Sequence, residues 1–405
     1  MKTLTPLAGK NQPVDWFFAF KFNSASFPGC TDDGVTPAVG SNGIFGGTVQ
    51  AYTNGHSQQY VFATDKNPTL VKGQGCLGAT LTDPLGATFA QVYQSTGDDV
   101  NYVIWNDQFY NDPMESKSAP YGHSKGMLAW NEVGEGFVLQ VSTPSWPAAG
   151  NQSNPRKTDG NTLGCIKDDD VEVSQHFFCL KINKDDLVTL LNAIINASVV
   201  TDPTLPQIVK NGGPADVQKL VSKLGKISRS TAMTQATLSS GVQVLSKPKT
   251  INAPVWQLVS SKLNGLPLRV ASWWDAPTIM STDGSSDITC WPDGFQKPGA
   301  VEIALSGVWE NTHIGLAGGD HPNCNHAKVG VSKDKTKPLS IFGDMNQQGT
   351  LQPIQKSNSS APPTCAISQN ARGGLFYVVE NVDLFNSITA LLAGNSAPLF
   401  VPPAS

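Results

Sequence analysis

Charged side chains are scarce in this chain of 405 residues, and neither sign dominates. They make up 15% of the residues, and the formal net charge at pH 7 is −4. A protein that coats nucleic acid needs a strong basic field, so this composition disfavours that class and leaves only a local lysine cluster to hold a polyanion. No apolar run approaches the roughly 20 residues of a membrane-spanning helix, so we expect no membrane partner.

Paired cysteines of the C-x-x-C type are also absent, although the chain contains seven cysteines. This absence disfavours a zinc ribbon or a thioredoxin-type redox motif. The scattered cysteines predict a few long-range disulfides in an extracytoplasmic protein, with at least one thiol left over; buried free thiols in a cytosolic protein are the alternative. Residues 1–10 lack the apolar run of a signal peptide. We therefore expect the mature form of a protein from a secreted, periplasmic or lysosome-like acidic location, with the cytosol as the alternative.

Glycine and proline are abundant, with 38 and 28 residues, which is typical of short strands joined by turns. Helical stripes occur at residues 184–198, 214–227 and 381–394, and Asn183 is a candidate N-cap of the first. Each half thus contains several strands followed by a helix, which predicts an α+β fold with two sheets and covering helices. Residues 201–213, with two prolines and two glycines, mark the join between the halves 1–205 and 206–405. The strands are predicted from apolar, β-branched or aromatic runs at residues 14–22, 59–64, 101–107, 123–130, 136–143, 176–182, 254–261, 266–274, 301–307, 326–332, 339–345 and 374–380.

The tripeptide pattern His-x-Lys occurs once in each half, as His123-x-Lys125 and His326-x-Lys328. A single tripeptide is a weak signal, because chance produces it easily. Both copies, however, begin strand-like runs, in which residues two apart face the same side. The repeat therefore predicts that two similar halves bring two His-Lys pairs to one site.

Two imidazoles and two ammonium groups are sufficient to cleave a phosphodiester without a metal or another cofactor. The lysines neutralise the anionic phosphate that a nucleophile must approach. One neutral imidazole attacks phosphorus and forms a covalent intermediate, and a second, protonated imidazole donates to the leaving oxygen and then activates water. Because the two imidazoles must differ in protonation state, a mildly acidic optimum is expected.

Seven stretches of the sequence resemble the deoxyribonuclease II family, in that family's order and over nearly the whole chain. That family belongs to the phospholipase D superfamily, so the resemblance implies a pseudo-dimer of two α/β halves, each with a mixed sheet, covering helices and a His-Lys pair. It also implies a metal-independent acid endonuclease that hydrolyses DNA through a phosphohistidine and leaves 3′-phosphate and 5′-hydroxyl ends. DNA would bind through its phosphates without sequence preference, and a monomer and a homodimer both stay open. The stretches are QPVDWFFAFKF (12–22), WNDQF (105–109), GHSKGMLAWN (122–131), HFFCL (176–180), NHAKVGVS (325–332), GDMN (343–346) and ARGG (371–374).

The resemblance assigns roles to the four residues of the repeated motif. His123 becomes the nucleophile and His326 the general acid and then base, although these two roles can be exchanged without contradicting the sequence. Lys125 and Lys328 would hold the non-bridging oxygens of the phosphate.

Five further residues are supporting candidates. The superfamily's Gly-Ser-x-Asn strand matches the sequence GDMN, which nominates Asn346 as a partner of phosphate or histidine, and the corresponding strand of the first half offers Ser142. The superfamily also has an aspartate five residues after each lysine, and this chain lacks both aspartates. The absence of these aspartates favours deoxyribonuclease II over the lipases and leaves the group that orients each imidazole unidentified. Asn131 and Asp334 lie one residue beyond the two positions and are the candidates there. Arg372, in a glycine-rich turn that matches the family, is a candidate phosphate contact.

Two other functions stay open. One is a phosphodiesterase of the same fold acting on a non-DNA substrate such as a phospholipid, and the other is a non-catalytic secreted binding protein that has kept the fold. The spacing of side chains within residues 320–326 also suits metal ligands. Cys324 in this segment is equally suited to a disulfide, and we expect no metal in the site. We interpret Trp273 and Trp274 as core residues rather than as stacking platforms for bases.

Overall fold

A computed structural model of this chain describes residues 3–30, 57–95, 99–157, 163, 171–355 and 360–401. Within these ranges the chain forms seventeen β-strands and five α-helices, so the predicted α+β class is confirmed. None of the helices in the described ranges has both the length and the apolar character of a membrane span. The strands fall into two large sheets and one two-stranded hairpin.

The N-terminal part of the chain forms the first sheet, with eight strands: β1 (Trp16–Lys21), β2 (Tyr60–Thr64), β3 (Val71–Lys72), β4 (Asn101–Asn106), β5 (Lys125–Trp130), β6 (Gly136–Val141), β7 (Gln175–Ile182) and β8 (Val209–Lys210). Their spatial order is β3-β2-β1-β7-β6-β5-β4-β8, and all neighbours are antiparallel. Every residue of β1 is buried, because both faces of this interior strand are covered, and its sequence is accordingly a nearly continuous apolar run. The strand β8 lies beyond residue 205, so this sheet extends slightly past the predicted join, and the division into two halves stays a prediction.

The C-terminal part of the chain forms nine strands: β9 (Thr234–Thr237), β10 (Gln243–Lys247), β11 (Leu268–Ala271), β12 (Val301–Ile303), β13 (Ser306–Trp309), β14 (Thr312–Gly315), β15 (Val329–Ser332), β16 (Leu339–Gly343) and β17 (Gly374–Glu380). Seven of them make the second sheet, in the order β12-β11-β15-β16-β17-β10-β9. Only the pair of β11 and β12 is parallel in this sheet as described. The strands β13 and β14 form the separate hairpin.

Helices cover the sheets and connect them. They are α1 (Pro84–Tyr93), α2 (Lys184–Ala197), α3 (Ala215–Val221), α4 (Val255–Lys262) and α5 (Val382–Leu391). The predicted cap of α2 is confirmed: the Asn183 side chain accepts from the Asp186 N–H, and the Asp186 carboxylate accepts from the Asn183 N–H, which together form a capping box. Because α2 contacts β7 of the first sheet and β10 and β17 of the second, it ties the two sheets together.

Aromatic side chains pack the two sheets against each other. Phe18 and Phe178, on neighbouring strands of the first sheet, both stack on Phe342 of the second sheet, with ring centroids 4.4 and 4.7 Å apart. All three rings are fully buried, and such pairs add about 0.5–1.5 kcal/mol each beyond the burial of their area. This packing fixes the sheets relative to each other and places the beginnings of β5 and β15 at a common cavity.

One predicted strand was wrong. Residues 254–261 form the helix α4, capped by Pro254, instead of a strand. The residues of this helix from Val255 to Ser261 are all buried, so its short apolar sequence shows no solvent-facing stripe, and periodicity cannot separate a buried helix from a buried strand at this length. The proline before the run was the available signal, since proline suits the first turn of a helix.

Two disulfides confirm the expectation of long-range cysteine pairing. Cys30 pairs with Cys76, and Cys290 pairs with Cys365, across 46 and 75 residues of sequence. Cys179 is a buried reduced thiol in β7, so at least one cysteine is left over, as expected. Cys165 lies outside the described residues.

Candidate active site

The two His-x-Lys segments meet at one cavity of about 680 Å³ that is lined from both sheets. Among the sequence-predicted residues, the cavity wall contains His123, His326, Lys328, Asn346 and Arg372. The first motif lies at the beginning of β5, and the second lies directly before β15. The structure therefore brings together the two histidines that lie about half a chain apart in sequence.

Each histidine is held by the backbone of the opposite sheet. The His123 N–H donates to the carbonyl of Gly373, directly before β17, at 2.8 Å. The His326 N–H donates to the carbonyl of Ser174, directly before β7, also at 2.8 Å. Neither motif can reach its position unless the two sheets are docked, so the cavity is a composite of both.

The ring of His123 has a defined tautomer. Its Nδ1 lies 2.7 Å from the main-chain carbonyl oxygen of Asp344, and because a carbonyl only accepts, Nδ1 carries the hydrogen. In the neutral ring, Nε2 then carries the lone pair. Burial lowers the pKa of His123 well below its ordinary value; the charge of Lys125 adds to this effect, while that of Asp107 opposes it. The site thus favours a neutral His123.

The ring of His326 is bordered by an amide and an indole. The Gln175 Nε2 lies 3.4 Å from His326 Nδ1, and Trp273 meets the imidazole edge-on with ring centroids 4.3 Å apart. The hydroxyl of Ser142 accepts from the His176 N–H at 2.8 Å and donates to Gln175 Oε1 at 2.6 Å. Ser142 therefore lies behind the site, where it orients the amide that faces His326.

The two motif lysines have different environments. Lys328 lines the cavity, and its Nζ donates to the carbonyl of His326. Lys125 is buried, and its Nζ donates to Asp107 Oδ1 at 2.6 Å. The other oxygen of Asp107 accepts from Arg372 Nη2 at 2.8 Å, so one carboxylate neutralises a cation from each half of the chain.

Asp107 and Asp344 are the two buried carboxylates of the site. Burial alone would raise the pKa of Asp107, yet neighbouring cations, Lys125 first and Arg372 as well, outweigh it and hold the pKa well below its ordinary value. Burial raises the pKa of Asp344 to about 6, although several hydrogen-bond donors oppose the increase. The two groups therefore differ strongly in acidity within one site.

Sequence reasoning missed Asp107, Gln175 and Asp344. Asp107 and Asp344 lie within the stretches WNDQF and GDMN that carried the family resemblance, and Gln175 directly precedes a third such stretch. The resemblance was thus the available signal. Most of their contacts could not be foreseen, because Arg372, His326 and His123 lie at least 151 residues from Asp107, Gln175 and Asp344.

The structure does not bring Asn131 and Asp334 to the cavity. The Asn131 side chain accepts from the N–H groups of Val133 and Glu135 in the turn after β5, and Asp334 accepts from Thr336 in the turn after β15. Each lies six residues beyond its lysine, which corresponds to about 20 Å along an extended strand. Both are therefore at the far ends of their strands.

Arg372 has a structural role, and Trp273 differs from its interpretation. Arg372 lines the cavity, and its Nε and Nη2 donate to Asp107 and to the carbonyls of Tyr121, Lys117 and Gly122. It therefore orders the loop that leads into the first motif, and its contact with phosphate stays a prediction. Trp273 is only partly buried and lines the cavity, whereas a core position was expected.

The alternative of a metal site within residues 320–326 finds no support in the grouping of side chains. Among the described residues, no three His, Cys, Asp or Glu side chains form a group that could hold a metal ion. Asp320 and His326 contribute to the cavity wall instead.

Replacing Ser142 with alanine is expected to lower the free energy of unfolding by about 1–3 kcal/mol, because the buried His176 N–H loses its acceptor and Gln175 loses a donor. Chemical denaturation of wild type and variant measures this difference. The matched control is Thr143→Val, since the neighbouring buried hydroxyl has no partner among the described residues. Equal stability of Ser142→Ala and wild type would contradict the role of this hydroxyl.

Comparison with known proteins finds a matching family and several relatives. A family model described as Deoxyribonuclease II matches residues 48–353, well over half of the chain. The chain is 22% identical over 349 residues to cell-death-related nuclease 7 of Caenorhabditis elegans, a match that covers 84% of this chain and 78% of that protein. It is 27% identical over 169 residues to deoxyribonuclease-2-alpha of Sus scrofa, covering 40% of each. It is 40% identical over 65 residues to deoxyribonuclease-2-beta of Rattus norvegicus, covering 16% of this chain and 17% of that one.

The matches to the two mammalian proteins span less than half of their length, whereas the family model covers the first motif, the second motif and most of both sheets. The chain belongs to the deoxyribonuclease II family of nucleases.

Proposed function

We propose that this protein is a metal-independent acid endodeoxyribonuclease that cleaves DNA through a phosphohistidine and leaves 3′-phosphate and 5′-hydroxyl ends. One observation carries the proposal: His123 and His326, each held by a carbonyl of the opposite sheet, line one cavity together with Lys328. The family membership supports DNA as the substrate. Most residues that line the cavity are polar or charged types, among them Gln108 and Ser118, which favours a polyanion over the acyl chains of a phospholipid.

In the proposed first step, His123 is the nucleophile. Its Nδ1–H donates to the Asp344 carbonyl, so the Nε2 lone pair attacks phosphorus. The bond between Nε2 and phosphorus forms as the bond between phosphorus and O5′ breaks. His326 in its protonated form transfers a proton to O5′, and the strand with the 5′-hydroxyl end departs.

In the second step, water replaces the histidine on phosphorus. His326, now neutral, takes a proton from water, and the water oxygen attacks the phosphohistidine. The bond between phosphorus and His123 Nε2 breaks, which releases the 3′-phosphate end and restores both rings. The sequence of steps needs no metal, and its charge changes are confined to the two imidazoles and the phosphate.

Charge around the cavity supports these steps. Lys328 lines the wall and can neutralise a non-bridging oxygen of the phosphate. Asn346 also borders the cavity, with its Nδ2 bonded to Gln348 at 2.9 Å, and is proposed as a further contact of the phosphate. Lys125 is proposed to act from behind His123: burial lowers the pKa of that imidazole and the charge of Lys125 adds to the effect, while Asp107 keeps Lys125 in place.

We further propose that the two halves are related as a pseudo-dimer. The order β2-β1-β7-β6-β5-β4 in the first sheet parallels β9-β10-β17-β16-β15-β11 in the second, so the motif strands β5 and β15 occupy matching positions. Lys21 at the end of β1 and Lys247 at the end of β10 are both buried and both donate to backbone carbonyls. One chain then contains a complete site, and a homodimer is not needed for the chemistry.

The proposed location is a secreted, periplasmic or lysosome-like acidic compartment. The two disulfides support an oxidising environment. The mechanism needs a neutral His123 and a protonated His326 at the same time, and mild acidity suits this combination because burial lowers the pKa of His123.

The proposed function predicts that the protein nicks supercoiled plasmid between pH 5 and 6 in the presence of excess EDTA, at the same rate as without EDTA. The rate should fall as salt is added, because binding relies on phosphate contacts. Gel electrophoresis of the plasmid forms measures both effects. Loss of nicking on addition of EDTA would contradict the metal-free mechanism.

The ends of the product provide a second test. Fresh 5′-hydroxyl ends should accept phosphate from ATP and polynucleotide kinase without prior dephosphorylation, and the 3′ ends should block a polymerase until a phosphatase is added. Hydrolysis of phosphatidylcholine vesicles without cleavage of DNA would instead support a phosphodiesterase with another substrate. Absence of both activities would support a non-catalytic binding protein.

A further inference from the structure

Asp344 lies behind His123 where the two sheets meet. It directly follows β16 of the second sheet and is 4% exposed. Its main-chain carbonyl accepts from His123 Nδ1, and its carboxylate accepts from the hydroxyl of Ser124 at 2.6 Å. One residue of the second sheet therefore holds both the imidazole of the first motif and the residue next to it.

A first series of hydrogen-bond donors ends on the Asp344 carboxylate. Trp105 Nε1–H donates to the Ser124 hydroxyl at 2.8 Å. Because the indole N–H can only donate, the serine oxygen accepts there and its own hydrogen points to Asp344 Oδ2. The N–H of Leu375 donates to the same oxygen at 3.1 Å. Two donors thus converge on Oδ2.

A second series begins at the other motif. The N–H of Lys328 donates to His176 Nδ1 at 3.1 Å, so the neutral ring of His176 carries its hydrogen on Nε2. That nitrogen lies 3.3 Å from Gln140 Oε1 and donates to it, which turns the amide nitrogen of Gln140 toward Asp344 Oδ1 at 3.0 Å. The direction of every donor is set, and Oδ1 is again an acceptor.

We propose that Asp344 is the positioning residue for His123: its carboxylate receives both series of donors and so fixes the peptide whose carbonyl holds His123 Nδ1. This inference deepens the proposed function and rests on it, because the fixed tautomer is the one with the Nε2 lone pair toward the cavity. The donors converge on a group that must only accept, which is the ionised carboxylate; both measurements below are therefore made at pH 7, above the pKa of about 6 to which burial raises Asp344. Asparagine has nearly the same shape, but it turns an NH₂ group toward a donor, and the Gln140 amide cannot rotate to compensate without opposing His176.

The test compares Asp344→Asn with the wild type in two measurements. The expected kcat for plasmid cleavage is lower by about 10- to 100-fold, with KM for DNA unchanged, because the nucleophile is misplaced while the phosphate contacts remain. In ¹⁵N-histidine spectra, His123, assigned by its absence in His123→Ala, is expected as a single Nδ1–H tautomer in the wild type. In the variant it is expected as a mixture of both tautomers.

Asp83→Asn is the matched control. Asp83 is likewise fully buried, accepts from three backbone N–H groups at the beginning of α1, and does not line the cavity. It is expected to lose stability and to keep the wild-type kcat and His123 tautomer. Equal effects of the two substitutions, or an Asp344→Asn protein with wild-type kcat or a wild-type tautomer, would overturn the positioning role.

A second variant decides the question if Asp344→Asn does not fold. Ser124→Ala keeps the carboxylate and removes one donor, so an intermediate loss of kcat at constant KM and a partial change of tautomer are expected. Wild-type values in Ser124→Ala would overturn the proposal. The tautomer of His123 is measured without substrate. Failure of the wild type to cleave DNA in EDTA would therefore contradict the proposed nuclease mechanism, and the positioning of His123 would still be tested by the spectra.

Discussion

Replacing His123 with alanine is expected to lower kcat for plasmid cleavage by about 10³-fold or more, since the reaction loses its nucleophile. Replacing His326 with alanine is expected to lower kcat by a similar factor, because the leaving O5′ then departs without a proton. Initial rates of nicking in EDTA between pH 5 and 6 measure both effects. KM for DNA should change little, since neither ring is a principal phosphate contact.

The two substitutions differ in a second measurement. With DNA labelled by ³²P at a single internal phosphate, His326→Ala should still become covalently labelled, and His123→Ala should not. The label should be lost in acid and kept in alkali, as for a phosphoramidate. Labelling of His123→Ala but not of His326→Ala would reverse the roles of the two histidines.

His313→Ala is the control for both variants. This histidine lies on the hairpin strand β14, is exposed and does not line the cavity. Its kcat should equal that of the wild type. Full activity in either His123→Ala or His326→Ala would contradict the two-histidine mechanism.

Replacing Asp107 with asparagine is expected to lower the free energy of unfolding by about 3–5 kcal/mol, which is typical of removing one partner from a buried ion pair. The substitution leaves the ammonium of Lys125 and the guanidinium of Arg372 buried without their shared carboxylate. Chemical denaturation measures the change. The control is Asp15→Asn, which breaks an exposed pair with Lys181 and should not change stability measurably.

The effect of Asp107→Asn should depend on pH in one direction. Because the pKa of Asp107 is lowered in the folded protein, the carboxylate stabilises the fold above its ordinary pKa of about 3.8, and this contribution is lost as the pH falls toward the folded value. The difference in unfolding free energy between wild type and variant should therefore be constant from pH 7 to about 5 and should shrink below about pH 4. A difference that grows with acidity would contradict the ion-pair assignment.

The sequence was sufficient to predict the meeting of the two histidines. Repetition of His-x-Lys at the beginning of strand-like runs predicted one shared site, and the structure places His123 and His326 at one cavity. Periodicity also predicted α2 and its Asn183 cap, because the residues that form an amphipathic helix and a capping box lie close together in the sequence. The helix and its cap depend on contacts within a few residues of sequence, whereas the shared site was predicted from the repeat of the motif.

The groups that orient the histidines could not be predicted from the sequence. Gln175 and Asp344 reach the rings only because the two sheets pack against each other. The superfamily pattern pointed instead to Asn131 and Asp334, and the extended backbone places both of them at the ends of the motif strands that lie away from the site. Side chains two residues apart lie on the same face of a strand, but each successive residue lies about 3.3 Å further along the strand and so further from the site.

The crossed backbone hydrogen bonds have a consequence for the timing of activity during synthesis. Gly373, which holds the first histidine, lies 250 residues after it in the chain. A growing chain therefore has no assembled site until residue 373 has been made. The cavity is absent for as long as the two sheets are apart, so docking of the sheets is the step that forms it.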